Sequence, residues 1–271
     1  MKQTIITNIT QGLTTAFIDH TVSSNLAYRP QFVSNNYKEG RKVISSIEDE
    51  LLSCEQFAIS VAFITMSGIT PLLQTLKELE KRGIPGRILT TDYLTFSDPK
   101  ALRKLEEFSN LHVKMYVTDQ TEEGFHTKGY IFKKEEMYRI IVGSSNMTLS
   151  ALTVNREWNT RIVSTEQGEY AQSVLTEFED LWNSPQAIEF EQFIDSYTEN
   201  YTRNKIIRKQ KELVRQEQIP SLEAYRLQPN SMQTGFINNL QKIYDAGEDK
   251  ALLISATGTG KTYASAFAMR E

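Results

Sequence analysis

The chain is almost without cysteine: Cys54 is the only one among 271 residues. A single thiol excludes a disulfide framework and any cysteine-based zinc cluster, and it points to a reducing compartment. Long hydrophobic runs are missing too. The longest apolar stretch, Phe57 to Met66, is about half of the roughly 20 residues a membrane span needs. The N-terminal MKQTIITNIT lacks the continuous apolar core of a signal peptide. These absences predict a cytosolic protein with no membrane partner. Nor does one charge dominate, since 30 Lys+Arg against 34 Asp+Glu leave a net charge of −4. A protein that binds nucleic acid over its whole surface is normally basic, so such a partner must be met by a local patch. No internal repeat or low-complexity tract is present. What remains, 39% hydrophobic and 24% charged, is a globular composition that excludes wholesale disorder.

The order of patterns along the chain predicts an α/β protein. Residues 1–37 are polar without a sustained period, apart from Leu13 to Ile18, and read as an N-terminal arm packed on the body. Val43, Ile44, Ile47, Leu51 and Leu52 share one helical face. Phe57 to Ile64 is a short buried strand, and Ser67 can cap a helix that Arg82-Gly83 ends. Pro85 to Asp92 is a second strand, Asp98 to about Phe108 a second helix, and His112 to Val117 a third strand. Strands at Phe125 to Phe132, Arg139 to Gly143 and Trp158 to Val163 follow, then a helix from Glu169 to Trp182. This alternation predicts a layered domain over 38–190, with a mostly parallel sheet and helices on both faces. Residues 191–220 read as a charged helical linker, with Arg203, Lys205, Arg208, Lys209, Lys211 and Arg215 nearly all round it. Such a helix is either solvated or turned toward nucleic acid. A further unit occupies 221–271.

Two constellations carry chemistry. In Gly124-Phe-His-Thr-Lys-Gly-Tyr, residues two apart lie on one side of a strand, so His126, Lys128 and Tyr130 project together. An imidazole beside a fixed cation suits attack on a phosphate diester. The cation draws in the anion, and the neutral imidazole attacks phosphorus. The next strand ends in Gly143-Ser144-Ser145-Asn146, whose hydroxyls and amide can bind phosphate oxygens. Glu157, eleven residues beyond Asn146, could hold the second imidazole nitrogen, as the orienting acid of a triad does. Asp92 closes a strand and reads as loop or capping duty, His112 as a surface position, and His20 has no recognisable partner.

His126-x-Lys128, Gly143-Ser-x-Asn146 and Glu157 together resemble the half-motif of the phospholipase D superfamily, in particular its single-motif nucleases, including phospholipase-D-type restriction endonucleases. The resemblance spans about residues 40 to 190. It implies that His126 is a nucleophile forming a phosphohistidine and that Lys128 and Asn146 bind the phosphate. Ser145 or Ser144 would assist, Glu157 would orient His126, and no metal would be needed. The motif's aspartate, five positions after the lysine, is Lys133 here; single-motif nucleases with this glutamate often tolerate its absence. The reaction uses two imidazoles and the chain offers one in such a motif, so a homodimer sharing one active site is expected. Tyr130, Met147, Leu149 and Leu152 are candidates for its buried interface, or for core.

The second constellation is Ala256-Thr-Gly258-Thr-Gly260-Lys261-Thr262, between the β-rich Ala251 to Ser255 and helix-forming Ala264 to Met269. A strand, glycine loop, Lys-Thr and helix cradle phosphates: backbone N–H groups bind them, Lys261 reaches β and γ oxygens, and Thr262 can ligate Mg²⁺. The run resembles motif I of superfamily-two helicases, and Gln233 downstream of Leu227-x-Pro229 resembles the glutamine that meets adenine there. The resemblance implies ATP and Mg²⁺ as cofactors of a RecA-like motor. With only nine residues after Thr262, the expectation is the front piece of a longer protein, without ATPase activity of its own. The leading functional expectation is a metal-independent phosphodiesterase acting on DNA, with RNA as a further candidate partner, in a nuclease–helicase protein of restriction, phage defence or DNA repair. The alternative is a non-catalytic nucleic-acid-binding and dimerising module that positions the motor. A lipid phosphodiesterase is a weaker third reading, because no basic amphipathic helix is evident.

Overall fold

The computed structural model describes residues 2–118, 124–217, 229–252, 254 and 261–269. They fall into two units, Met1–Arg208 and Lys209–Glu271. The first unit opens with α1 (Lys2–Phe17), β1 (Gln31–Val33), α2 (Val43–Ser53) and β2 (Gln56–Val61). Next come α3 (Met66–Ile69), α4 (Leu73–Lys81), β3 (Gly86–Thr91), α5 (Pro99–Glu106) and β4 (Leu111–Tyr116). Then follow β5 (Lys128–Lys134), β6 (Met137–Gly143), α6 (Leu149–Thr153), β7 (Asn159–Thr165), α7 (Glu169–Trp182), β8 (Ala187–Glu189) and α8 (Phe190–Glu217). The second unit contains α9 (Ser231–Asp245) and α10 (Lys261–Ala268).

Among the described residues the strands form one eight-stranded sheet in the order β1-β7-β6-β5-β2-β3-β4-β8. It is mixed, and this corrects the expectation of a mostly parallel sheet. Only β2 with β3 and β3 with β4 run parallel; every other pairing is antiparallel. The reason lies in chain length. Only Glu135 and Glu136 connect β5 to β6, and a parallel return needs a crossover of about a dozen residues or more.

Strand alternation sends side chains to two cores. Phe57, Ile59, Ile88, Val113, Tyr130, Phe132 and Ile141 face one side, where α2, α4 and α5 cover them with Ile47, Leu51, Leu76, Leu79, Leu102 and Leu105. Ala58, Leu89, Ile131 and Ile140 face the other, under Ala171, Phe178 and Trp182 of α7. Helices on both faces are therefore observed. Leu52 departs from its expected face and is exposed, whereas Val43, Ile44, Ile47 and Leu51 are buried. Thr65, rather than Ser67, caps α3 by accepting from the Gly68 N–H. Asp98 caps α5 ahead of Pro99. Cys54 packs in the interior, where burial pushes its thiol up to about 11.

Three segments differ from the sequence expectation. The N-terminal arm holds the helix α1 and the strand β1 where no regular element was expected, and Ile5 of α1 packs on Met137 and Val163. The linker helix begins inside the core, because Phe193, Ile194 and Tyr197 of α8 are buried in the first cluster. The strand expected at Ala251 to Ser255 is absent among the described residues: Ala251, Leu252 and Ile254 lie in no strand. A parallel strand needs neighbours that cover both its faces. No helix among the described residues is long and apolar enough to cross a membrane.

Candidate active site

One end of the sheet collects four strand termini. Lys128 opens β5 opposite Val61, the last residue of β2, and Asn159 opens β7 opposite Gly143, the last residue of β6. The segment after β6 is tied to the segment after β2. Met147 donates its N–H to the Phe63 carbonyl at 3.0 Å, and Thr65 donates to the Met147 carbonyl at 3.0 Å. Gly143 lets β6 end close against the start of β7, since a side chain there would strike the Trp158 carbonyl and Asn159.

His126 and Lys128 meet as expected, although His126 lies just before β5 rather than within it. Lys128 Nζ is 2.7 Å from His126 Nδ1 and donates to the His126 carbonyl at 2.9 Å. The imidazole is exposed and the lysine half-buried. Burial lowers the Lys128 pKa, and the charge of Glu157 opposes that shift. Phe63 stands edge-on to the His126 ring, with centroids 6.2 Å apart. Phe96 is in turn edge-on to Phe63 at 5.1 Å.

The other motif residues divide their duties. Asn146 accepts the Phe63 N–H on Oδ1 at 3.1 Å, which leaves its amide hydrogens for a ligand. The Ser144 hydroxyl donates a hydrogen bond to the Glu157 carboxylate, and Ser144 Oγ in turn accepts the Trp158 N–H at 3.1 Å. The orienting bond expected from Glu157 to His126 is thus replaced, in this structure, by a bond to Ser144. Ser145 is fully buried and turned inward: its Oγ accepts from Asn159 Nδ2 at 2.9 Å, and its carbonyl accepts from the Tyr130 hydroxyl at 3.0 Å. Burial, with the Glu157 charge, pushes the Tyr130 pKa up, so this hydroxyl stays a donor. Asn159 was not singled out by the sequence. Its neighbours in β7, Thr160 and Arg161 among them, are polar too, so nothing in the sequence set this amide apart.

The remaining candidates lie elsewhere. Lys133 is opposite Gln56, at the far end of β5, and pairs with Glu166 at 2.8 Å. His112 is exposed near the start of β4, at the end of the sheet away from His126. Asp92 has the expected loop duty, accepting from the Thr118 N–H and hydroxyl at 2.9 Å. Tyr130, Met147 and Leu152 are core, and of the four expected interface residues only Leu149 is exposed. In the second unit, Lys261 and Thr262 open α10, while Gly258 and Gly260 lie outside the described residues. Gln233 is buried and closes a capping box with Asn230 at the start of α9, its Oε1 accepting the Asn230 N–H at 2.9 Å.

No curated protein matches the chain in sequence. Among solved structures it is similar to NucT from Helicobacter pylori, at 15% identity and a TM-score of 0.47, covering 60% of this chain and 99% of that one. It is similar also to Nuc, a phospholipase D family member from Salmonella typhimurium, at 18% identity and a TM-score of 0.45, again covering 60% and 99%. Phosphatidylserine synthase from Haemophilus influenzae matches at 15% identity and a TM-score of 0.46, over 68% of this chain and 46% of that one. Residues 226–271 match the family model described as type III restriction enzyme, res subunit. Residues 49–182 match the model described as cardiolipin synthase, phospholipase D-like domain. The chain therefore carries a phospholipase D-like domain, followed by a helicase-type segment of the kind found in type III restriction enzymes.

Proposed function

We propose that this chain hydrolyses phosphodiester bonds of DNA through a histidine–phosphate intermediate, as the nuclease part of a nuclease–helicase protein that works inside the cell in phage defence or repair. The observation that carries this reading is the contact of Lys128 Nζ with Nδ1 of the exposed His126, at 2.7 Å. An anionic diester arriving there draws the ammonium from the ring to its own oxygens, and the freed imidazole attacks phosphorus. The nitrogen–phosphorus bond forms as the bond to the leaving oxygen breaks. That oxygen takes a proton from a second imidazole, which then removes a proton from water as the water displaces His126 from phosphorus. The amide hydrogens of Asn146 add to phosphate binding, and Glu157 keeps Lys128 charged. Ser145, being buried, supports the loop instead of touching substrate.

The second imidazole comes from a second copy of the chain, because His112 stands at the other end of the sheet and His20 belongs to the N-terminal arm, outside any such motif. A two-fold pair sharing one pocket follows. ATP and Mg²⁺ belong to the motor segment, with Lys261 and Thr262 as its phosphate and metal contacts and Gln233 near the adenine. The test is cleavage of single- and double-stranded DNA in EDTA, with His126→Ala beside the parent protein. Cleavage should persist in EDTA and vanish in the variant, and light scattering should give about twice 31.1 kDa. Full activity of His126→Ala would move the chemistry elsewhere, and a fully active monomer would refute the shared site.

A further inference from the structure

A cavity of about 560 Å³ runs from His126 and Lys128 into the space between the sheet and α7. Its walls are apolar, with Val142 of β6 on one side and Val174 and Phe178 of α7 on the other. Such a volume takes a ligand with one or two rings. Gly129 of β5 lines it, and a Cβ built there meets nothing within 4 Å. Glycine inside a strand weakens the sheet and marks a place where something approaches closely. The polar groups are few. Near His126 the Ser60 and Thr127 hydroxyls meet at 2.5 Å, and the exposed carboxylate of Glu177 stands on the rim.

We infer that this groove receives an unpaired nucleobase of the nucleotide next to the scissile phosphate, an inference that rests on the phosphodiesterase reading. The groove continues directly from the candidate nucleophile, so its occupant is covalently close to the reacting phosphorus. A phosphate does not belong deeper in, because among the described residues Lys128 is the only Lys or Arg lining the cavity and Glu177 repels an anion. A nucleobase matches on both counts. Its flat faces suit Val142 and Val174, above the buried Phe178, and its edge N–H groups find acceptors in Glu177 and the hydroxyls. A base held in a duplex must first unpair to enter, which costs a few kcal/mol and makes single strands the preferred substrate.

The test is binding, read separately from cleavage. A single-stranded oligonucleotide with 2-aminopurine beside one phosphodiester, all other linkages being methylphosphonate, is titrated into the full chain carrying His126→Ala. A matching strand has an abasic site in place of the fluorescent base. The base should make binding about tenfold tighter, the scale of burying part of its apolar faces, and its fluorescence should change on binding. Gly129→Leu, which fills the groove, and Ser173→Trp, which narrows it from an exposed position on α7, should each remove that base dependence. If one variant fails to fold, the other decides. Equal binding of the two strands overturns the inference, as does displacement of the fluorescent strand by a short-chain phospholipid but not by a mononucleotide. Base-dependent binding by a parent protein that cleaves no DNA would instead count against the phosphodiesterase reading and leave the groove assignment standing.

Discussion

Asn159→Ala tests how the Gly143–Asn146 segment is held. The Asn159 side chain makes three hydrogen bonds in the interior: Nδ2 donates to Ser145 Oγ at 2.9 Å and to the Val33 carbonyl at 3.2 Å, and Oδ1 accepts the Ser145 N–H at 3.3 Å. Truncation leaves a buried N–H, hydroxyl and carbonyl without partners, at about 1–3 kcal/mol for each well-formed bond lost. Two of the three bonds are long, so their shares fall at the low end and the total is about 3 kcal/mol. For a domain of this size that loss lowers the melting temperature by roughly 6–12 °C. Ser145→Ala removes one group and one bond, and should cost only about 1 kcal/mol. Near-UV circular dichroism melts and urea midpoints measure both. An Asn159→Ala protein melting within about 2 °C of the parent would refute the claim that this amide anchors the loop.

Glu157→Gln keeps the Ser144 bond possible but removes the charge that supports Lys128, so cleavage should fall by about 10²-fold; a rate within twofold of the parent would remove Glu157 from the site. Glu50→Leu strands two guanidinium groups, Arg139 and Arg161, which lie 3.5 and 3.4 Å from the Glu50 carboxylate in a nearly closed interior. It should cost about 3–5 kcal/mol in urea unfolding, and an unchanged midpoint would contradict the pairing. Lys133→Ala should leave cleavage unchanged and stability within about 1 kcal/mol, whereas a tenfold loss of rate would bring position 133 into the chemistry. The Arg87 hydrogen bond lowers the Glu179 pKa in the folded protein. A depressed carboxyl contributes stability above its unfolded value and loses it as pH falls through the folded one. With Glu179 partly exposed, Arg87→Met should therefore cost about 0.5–1 kcal/mol more at pH 7 than near pH 2, where only its contacts with the Phe178 and Trp182 rings are lost; an equal cost at both pH values would deny the linkage.

The helices under strong periodicity were legible in sequence. The α7 bounds agree with the pattern at Glu169 and Trp182, and α2 buries the apolar residues that its spacing singled out, Leu52 apart. The α1 helix was not legible, because it is rich in threonine and its apolar residues keep no continuous stripe. Its threonines remain helical by returning their hydroxyls to carbonyls four residues back, as Thr7 does to Gln3 and Thr10 to Ile6, both at 2.9 Å. In the site, the His126–Lys128 pair was legible because a spacing of two fixes a shared side without any knowledge of the rest of the fold. The division between Ser144 and Ser145 was not. Two adjacent hydroxyls look alike in sequence, and Asn159 on the neighbouring strand decides which of them turns inward.

The antiparallel run of β5, β6 and β7 is what makes one site from motifs far apart in sequence. His126 and Lys128 stand at the beginning of β5, and Ser144 and Asn146 stand just past the end of β6. Were these two strands parallel, the start of one and the end of the other would lie at opposite ends of the sheet. Seven residues of β5, at about 3.3 Å each, would hold them roughly 20 Å apart. No side chain in the set bridges that distance. Reversal at β6 brings Gly143 level with the start of β5, since Val142 pairs with Gly129. A second reversal at β7 puts Asn159, and Glu157 just before it, beside Gly143. The parallel pairs serve a different purpose, placing the ends of β2 and β3 at this same edge, where Phe63 stands edge-on to the imidazole and Phe96 packs on Phe63. A requirement that His126, Lys128, Asn146 and Glu157 act on one phosphate therefore dictates the strand directions that hydrophobic alternation alone left open.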